Sequence, residues 1–169
     1  MAVRTICTYP SPVLGQKALP VETIDDALQR LIDDMIETMY AAPGIGLAAP
    51  QIGVSLQVFV VDITSGRESN ALMTFINPEL VQGEGQVRED EGCLSVPEVY
   101  GPTPRFENVI LRGTNRDGQI VESEGKGLQA RAFQHEIDHL QGLLFFDRMG
   151  PVARDLIKRK YRRTQRQRR

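Results

Sequence analysis

The only two histidines of the chain stand together in His135-Glu136-Ile137-Asp138-His139. On a helix, positions i and i+4 share one face, so both imidazoles can reach a single metal ion. Glu136 stands beside them, within reach of a water on that ion. A metal lowers the pKa of bound water toward neutrality, and a nearby carboxylate can take the proton and pass it on. A catalytic ion of this kind wants a third protein ligand and one open position. No third histidine exists, and the run after His139, Leu140-Gln141-Gly142-Leu143, offers no ligand. Two cysteines remain as soft candidates, Cys7 and Cys93. Cys7 lies among Thr and Ile and reads as a small buried hydrophobe. Cys93 lies in Glu91-Gly92-Cys93-Leu94-Ser95, where a glycine lets backbone approach an ion. A thiolate with two imidazoles suits zinc or ferrous iron. Plain burial is the alternative reading of either cysteine.

A second segment invites a false reading. Gly44-Ile45-Gly46-Leu47-Ala48-Ala49 fits a G-x-G-x-x-A dinucleotide fingerprint, and Asp62 follows at the end of an apolar run. That fingerprint must follow a strand and open a helix. Here a helical pattern and Pro43 precede it, and Pro50 would cut any helix short. An extended glycine segment lining a cleft is the better use. Gln51 follows it, and a side-chain amide there can donate to a developing oxyanion. Bonding to its own backbone is the competing role for Gln51.

The elements that must carry these groups follow from hydrophobic spacing. Ile24, Leu28, Leu31, Met35 and Met39 recur at helical period, predicting an amphipathic helix over 24–41 that Pro43 and Gly44 end. Residues 56–63 and 72–77 read as strands rich in β-branched and aromatic residues. Residues 108–114 and 119–122 flank Asn115-Arg116-Asp117-Gly118, a hairpin turn. A second helix is expected over 126–140 and a third from Pro151 to about Arg163. Without regular βαβ alternation, the fold class is α+β, with antiparallel or mixed β-sheets packed around a central metal-binding helix and a C-terminal helix.

The composition, 169 residues with 41% hydrophobic and 25% charged, is that of a globular domain. Residues 40–61 carry no charge, but their prolines, glycines and glutamines exclude a membrane span. Two cysteines are too few for a disulfide scaffold, and the first ten residues show no apolar signal core, so a cytoplasmic location is expected. The net charge of −2 hides an asymmetry: from Arg154 onward nine basic residues face one acid, giving +8 there and −10 in the rest. Such a tail suits a polyanionic partner, or lies back on its own acidic body.

Three segments together resemble the motifs of peptide deformylase: Gly44 through Gln51, then Glu91 through Ser95, then Gln134 through His139. Order and spacing match, the likeness runs from about Pro10 to Asp147, and the absence of long insertions resembles the shorter bacterial type. The resemblance implies removal of the formyl group from N-formylmethionine of nascent chains, with release of formate. It implies Cys93, His135 and His139 as metal ligands and Glu136 as general base and then acid. Gln51 and the backbone N–H of Leu94 would steady the oxyanion. Backbone at Gly44, Ile45 and Gly46 would pair with substrate as an added strand. Ile45, Leu128 and Ala132 match positions near the methionine pocket, whereas Tyr100 and Arg131 depart from some members at its rim. The ion would be Fe(II), Zn(II), Co(II) or Ni(II), with Fe(II) expected in the cell. Residues 1–150 would form the catalytic domain, and residues 151–169 a basic helix or tail docking on the ribosome near the exit tunnel. Asp138 and Arg105 are expected to pair behind the site. The alternatives are a zinc metalloprotease, which lacks its usual third ligand downstream, and an RNA-binding module, which would need aromatic residues beside the basic ones.

Overall fold

The computed structural model describes residues 2–168. Three α-helices are present: α1 (Asp26–Ala41), α2 (Leu128–Leu140) and α3 (Pro151–Gln167). Seven strands accompany them: β1 (Gly46–Ala48), β2 (Val58–Val61), β3 (Met73–Glu84), β4 (Val87–Cys93), β5 (Val96–Arg105), β6 (Asn108–Thr114) and β7 (Ile120–Lys126). Five strands form one antiparallel sheet in the order β1-β2-β3-β6-β7, and β4-β5 is a separate antiparallel hairpin. The architecture is the expected α+β, with every strand pair antiparallel.

Helix α1 starts where Asp25 caps it, its carboxylate accepting from the Leu28 N–H at 2.9 Å. Its apolar stripe, including Leu28, Ile32, Met35 and Met39, is buried against β1, β2 and the loop before them. Helix α2 crosses the other face of the sheet. There Phe133 meets Phe75 edge-on, with centroids 5.3 Å apart, and Phe75 packs on Phe59 at 5.1 Å. Gly142 ends α2 at φ +78°, its N–H donating to His139 O; a Cβ there would press on the Gly15 backbone at 2.8 Å. A third core joins the hairpin to α3: Val96 and Val99 pack with Phe145, Phe146, Met149, Ile157 and Tyr161.

The structure departs from expectation in several places. Strand β7, expected to end at Glu122, runs on to Lys126, so α2 begins only at Leu128, and α3 runs past Arg163 to Gln167. The strand expected at 72–77 runs on to Glu84, through irregular pairing with β6 around Pro78. The glycine segment contains a strand, with Gly46 opposite Val61, which makes β1 an edge of the large sheet. The β4-β5 hairpin has no simple hydrophobic alternation, because Glu91, Gly101, Thr103 and Arg105 fill buried positions, while Pro97, Pro102 and Pro104 take less buried ones on β5. Proline is tolerated there because the hairpin has only two strands, each with a free edge.

Candidate active site

Helix α2 presents His135 and His139 on one face, and β4 ends at Cys93 opposite them. The two Nε2 atoms lie 3.2 Å apart, and Cys93 Sγ lies 3.3 Å from His139 Nε2. One ligand atom from each residue falls within 4.8 Å of the other two. A tetrahedral ion with bonds of 2.0–2.3 Å needs ligand separations of roughly 3.3–3.5 Å, so the set fits one. Its two nitrogens and one sulfur suit a borderline-soft divalent metal. Cys7 is not part of this group; its backbone N–H donates to Gln51 O, and its sulfur faces Gly53.

Electrostatics prepare the site. Burial, helped by the neighbouring His135, pushes His139 well below its ordinary range, which keeps its imidazole neutral and able to ligate. Glu136 is 3% exposed, and its Oε2 is buried with no partner. Burial pushes its carboxyl up to about 7, against the pull of His135 and Arg105. A carboxyl poised near neutrality is suited to accept and return a proton. Gly46 makes room for it: a Cβ on Gly46 would stand 2.8 Å from Glu136 Oε1.

Gln51 is 1% exposed and held at both ends. Its Oε1 accepts from the Ala48 N–H at 2.9 Å, and its Nε2 donates to Ser95 Oγ at 3.1 Å, lying 3.7 Å from Cys93 Sγ. Its amide nitrogen therefore stays beside the ligand cluster. A cleft of about 650 Å³ opens over these groups. Ten of the eleven candidate residues line it: Gly44, Ile45, Gly46, Gln51, Cys93, Leu94, Leu128, Ala132, His135 and Glu136; His139 lies beneath, fully buried. Tyr100 and Arg131 also line the cleft.

Arg105 and Asp138 pair at 2.6 Å behind the site, as expected. Sequence reasoning missed the rest of that network. Glu91 Oε1 lies 3.1 Å from His135 Nδ1, and Arg105 grips both oxygens of Glu91, at 2.8 and 2.9 Å. Burial works against the Glu91 charge, but bonds from Arg105 and His135 prevail and hold its carboxyl down at about 2. A carboxylate on the far nitrogen of a ligating imidazole fixes the tautomer and orientation of the ring. Arg148 closes the outer end of the network on Asp138 at 2.6 Å. Ser95 was also missed; its N–H donates to Cys93 Sγ at 3.4 Å. The adjacency of Glu91 and Ser95 to Cys93 was the available signal.

A family model described as polypeptide deformylase matches residues 3–155. The chain belongs to the polypeptide deformylase family. It is 53% identical to a peptide deformylase of Syntrophobacter fumaroxidans over 163 residues, covering 96% of each chain. It is 47% identical to one of Acidobacterium capsulatum, covering 98% of each. A solved peptide deformylase from Legionella pneumophila superposes with a TM-score of 0.92 at 44% identity, covering 99% of this chain and 98% of that one. One from Synechococcus elongatus, solved with actinonin, gives 0.87 at 38% identity, covering 92% and 85%. As a member of this family the chain is a metal-dependent enzyme that removes the N-formyl group from formyl-methionine nascent peptides. No helix of the described residues is long and apolar enough to cross a membrane.

Proposed function

We propose that Cys93, His135 and His139 hold one divalent metal, Fe(II) in the cell, and that the remaining cleft residues direct deformylation around it. The convergence of those three ligand atoms beside the partnerless Glu136 carboxyl carries this reading. Zn(II), Co(II) and Ni(II) satisfy the same donor set. The bound ion supplies Lewis acidity, acidifying water and polarising the formyl carbonyl. Glu136 takes the proton of the attacking water and delivers it to the departing amine. Gln51 Nε2 and the Leu94 N–H donate to the oxygen on which negative charge develops. The backbone of Gly44 to Gly46, which leads into the edge strand β1, takes the substrate backbone as an added strand. Ile45, Leu128 and Ala132 receive the methionine side chain. The products are formate and the free amino terminus.

Residues 1–150 carry the chemistry, and the basic segment 151–169 docks on the ribosome near the exit tunnel, in the cytoplasm. The exposed arginines and lysine of α3, from Arg159 to Arg166, support that role, because its other face is occupied by Ile157 and Tyr161 in the third core. Anaerobic purification, metal analysis and formate release from formyl-Met-Ala-Ser test the reading. About one metal per chain and hydrolysis confined to the formylated peptide are expected. The Cys93→Ser variant should lose metal, because a hydroxyl replaces a soft thiolate. Equal metal content in that variant, or cleavage of internal bonds in unformylated peptides, would contradict it.

A further inference from the structure

Two side chains of β4 reach α2 in parallel. Glu91 meets His135 at 3.1 Å, and Glu89, two residues earlier on the same strand, meets Arg131 at 3.0 Å. The helix positions are i and i+4, one turn apart, and the strand positions are i and i+2, so the rungs are matched in spacing. Arg131 thus stands one turn from a metal ligand, between Leu128 and Ala132 on the cleft wall. Its side chain is 18% exposed, against 58% for Glu89, so the arginine is mostly withdrawn from water and its partner stands at the rim. The surrounding wall residues Ile45, Leu128 and Ala132 offer no side-chain donor. An arginine has five N–H donors, and Glu89 is the one side-chain partner of Arg131 among the described residues. Donors are therefore left over on the apolar stretch of cleft wall formed by Ile45, Leu128 and Ala132.

We propose that Arg131 is a specificity-determining residue whose guanidinium donates to the end of the substrate's first side chain, favouring a thioether, and still more its sulfoxide, over a hydrocarbon of equal length. This rests on the deformylase reading above and on its placing the methionine side chain beside Leu128 and Ala132. A charged donor largely removed from water prefers a side chain carrying an acceptor, and a sulfoxide oxygen is a far stronger acceptor than a thioether sulfur. A pocket built with a donor discriminates against an analogue that lacks the acceptor. The chain would accordingly deformylate peptides whose initiating methionine has been oxidised, a substrate class that an all-apolar pocket disfavours.

The test compares three peptides, formyl-Met-Ala-Ser, its norleucine analogue and its methionine sulfoxide analogue, on the metal-loaded full chain. Arg131→Met keeps the apolar stem and removes the donors. In that variant the sulfoxide-to-norleucine ratio of kcat/KM should fall by about 10-fold or more, with the methionine-to-norleucine ratio falling less. Arg131→Lys should recover part of the sulfoxide preference. Both ratios unchanged within about twofold, or all three peptides losing the same factor, would overturn the role of Arg131, because a purely structural contribution moves all three together. Failure of the unmodified chain to release formate from any peptide would overturn the deformylase reading itself.

Discussion

Gly46→Ala tests the catalytic geometry with one methyl group. The added Cβ would lie 2.8 Å from Glu136 Oε1, 3.1 Å from its Cδ and 3.2 Å from its Cγ. Carbon and oxygen ordinarily approach no closer than about 3.3 Å. The carboxylate must therefore retreat by roughly 0.5 Å, about the tolerance of a productive catalytic geometry. A displacement of 1 Å can cost about 10²-fold, so kcat should fall by about 10-fold. Gly46 does not occupy the left-handed backbone region, so alanine is conformationally acceptable and the strand should survive. The assay is steady-state formate release with metal content and thermal unfolding measured on the same preparation. Wild-type kcat in a folded, metal-loaded variant would refute the reasoning. A change confined to KM would mean that the methyl obstructs substrate pairing and leaves Glu136 in place.

Gln51→Leu should lower kcat by about 10²–10³-fold if Nε2 is an oxyanion donor, whereas a change in KM alone would assign it to substrate positioning. That variant also strips the Ala48 N–H and Ser95 Oγ of their partner, so unfolding in urea should show a loss of about 1–3 kcal/mol. Burial and the bond to Asp62 push the Tyr40 hydroxyl up to about 12. A group whose folded pKa is raised contributes stability that is complete below its unfolded value near 10 and is lost as pH rises toward 12. The urea midpoint of the wild type should thus fall more steeply than that of Tyr40→Phe between those values, and parallel curves would refute the coupling. Replacing Arg159, Arg162 and Arg163 by Glu should weaken ribosome co-sedimentation and flatten its salt dependence while leaving peptide deformylation intact. Unchanged sedimentation would dismiss α3 as the docking element. Charge reversal is a cleaner test than ending the chain at Gly150, which would remove Ile157 and Tyr161 from the third core.

Helix α1 was legible because one face alone is buried, which writes a 3.6-residue period into the sequence. The metal-binding helix was legible through its histidines more than through its periodicity. Gln134, Glu136, Asp138 and His139 are all buried on it, so polar residues occupy positions that pattern reading assigns to solvent. The β4-β5 hairpin was not legible. Arg88, Glu89, Asp90 and Glu91 in succession look like a solvated loop, and the prolines opposite look like a linker. What makes the segment a strand is remote: Glu91 is satisfied by Arg105 and His135, and Glu89 by Arg131. Charges whose partners lie 14 to 44 residues away leave no local signature.

The contact between Tyr161 and Tyr9 bears on the order in which the chain can fold. The Tyr161 hydroxyl donates to Tyr9 O at 2.9 Å across 152 residues, and the Tyr9 ring stands edge-on to both Phe146 and Tyr161. The Tyr9 N–H in turn donates to Ser95 O, two residues beyond Cys93. The segment around Tyr9 is therefore clasped between the hairpin that carries the thiolate and helix α3. A ribosome adds about 5–20 residues per second, so the sheet strands, all made by Lys126, precede Tyr161 by seconds, and the clasp closes only afterwards. An enzyme that unmasks the amino terminus of emerging chains thus completes its own third core only once α3 has been made.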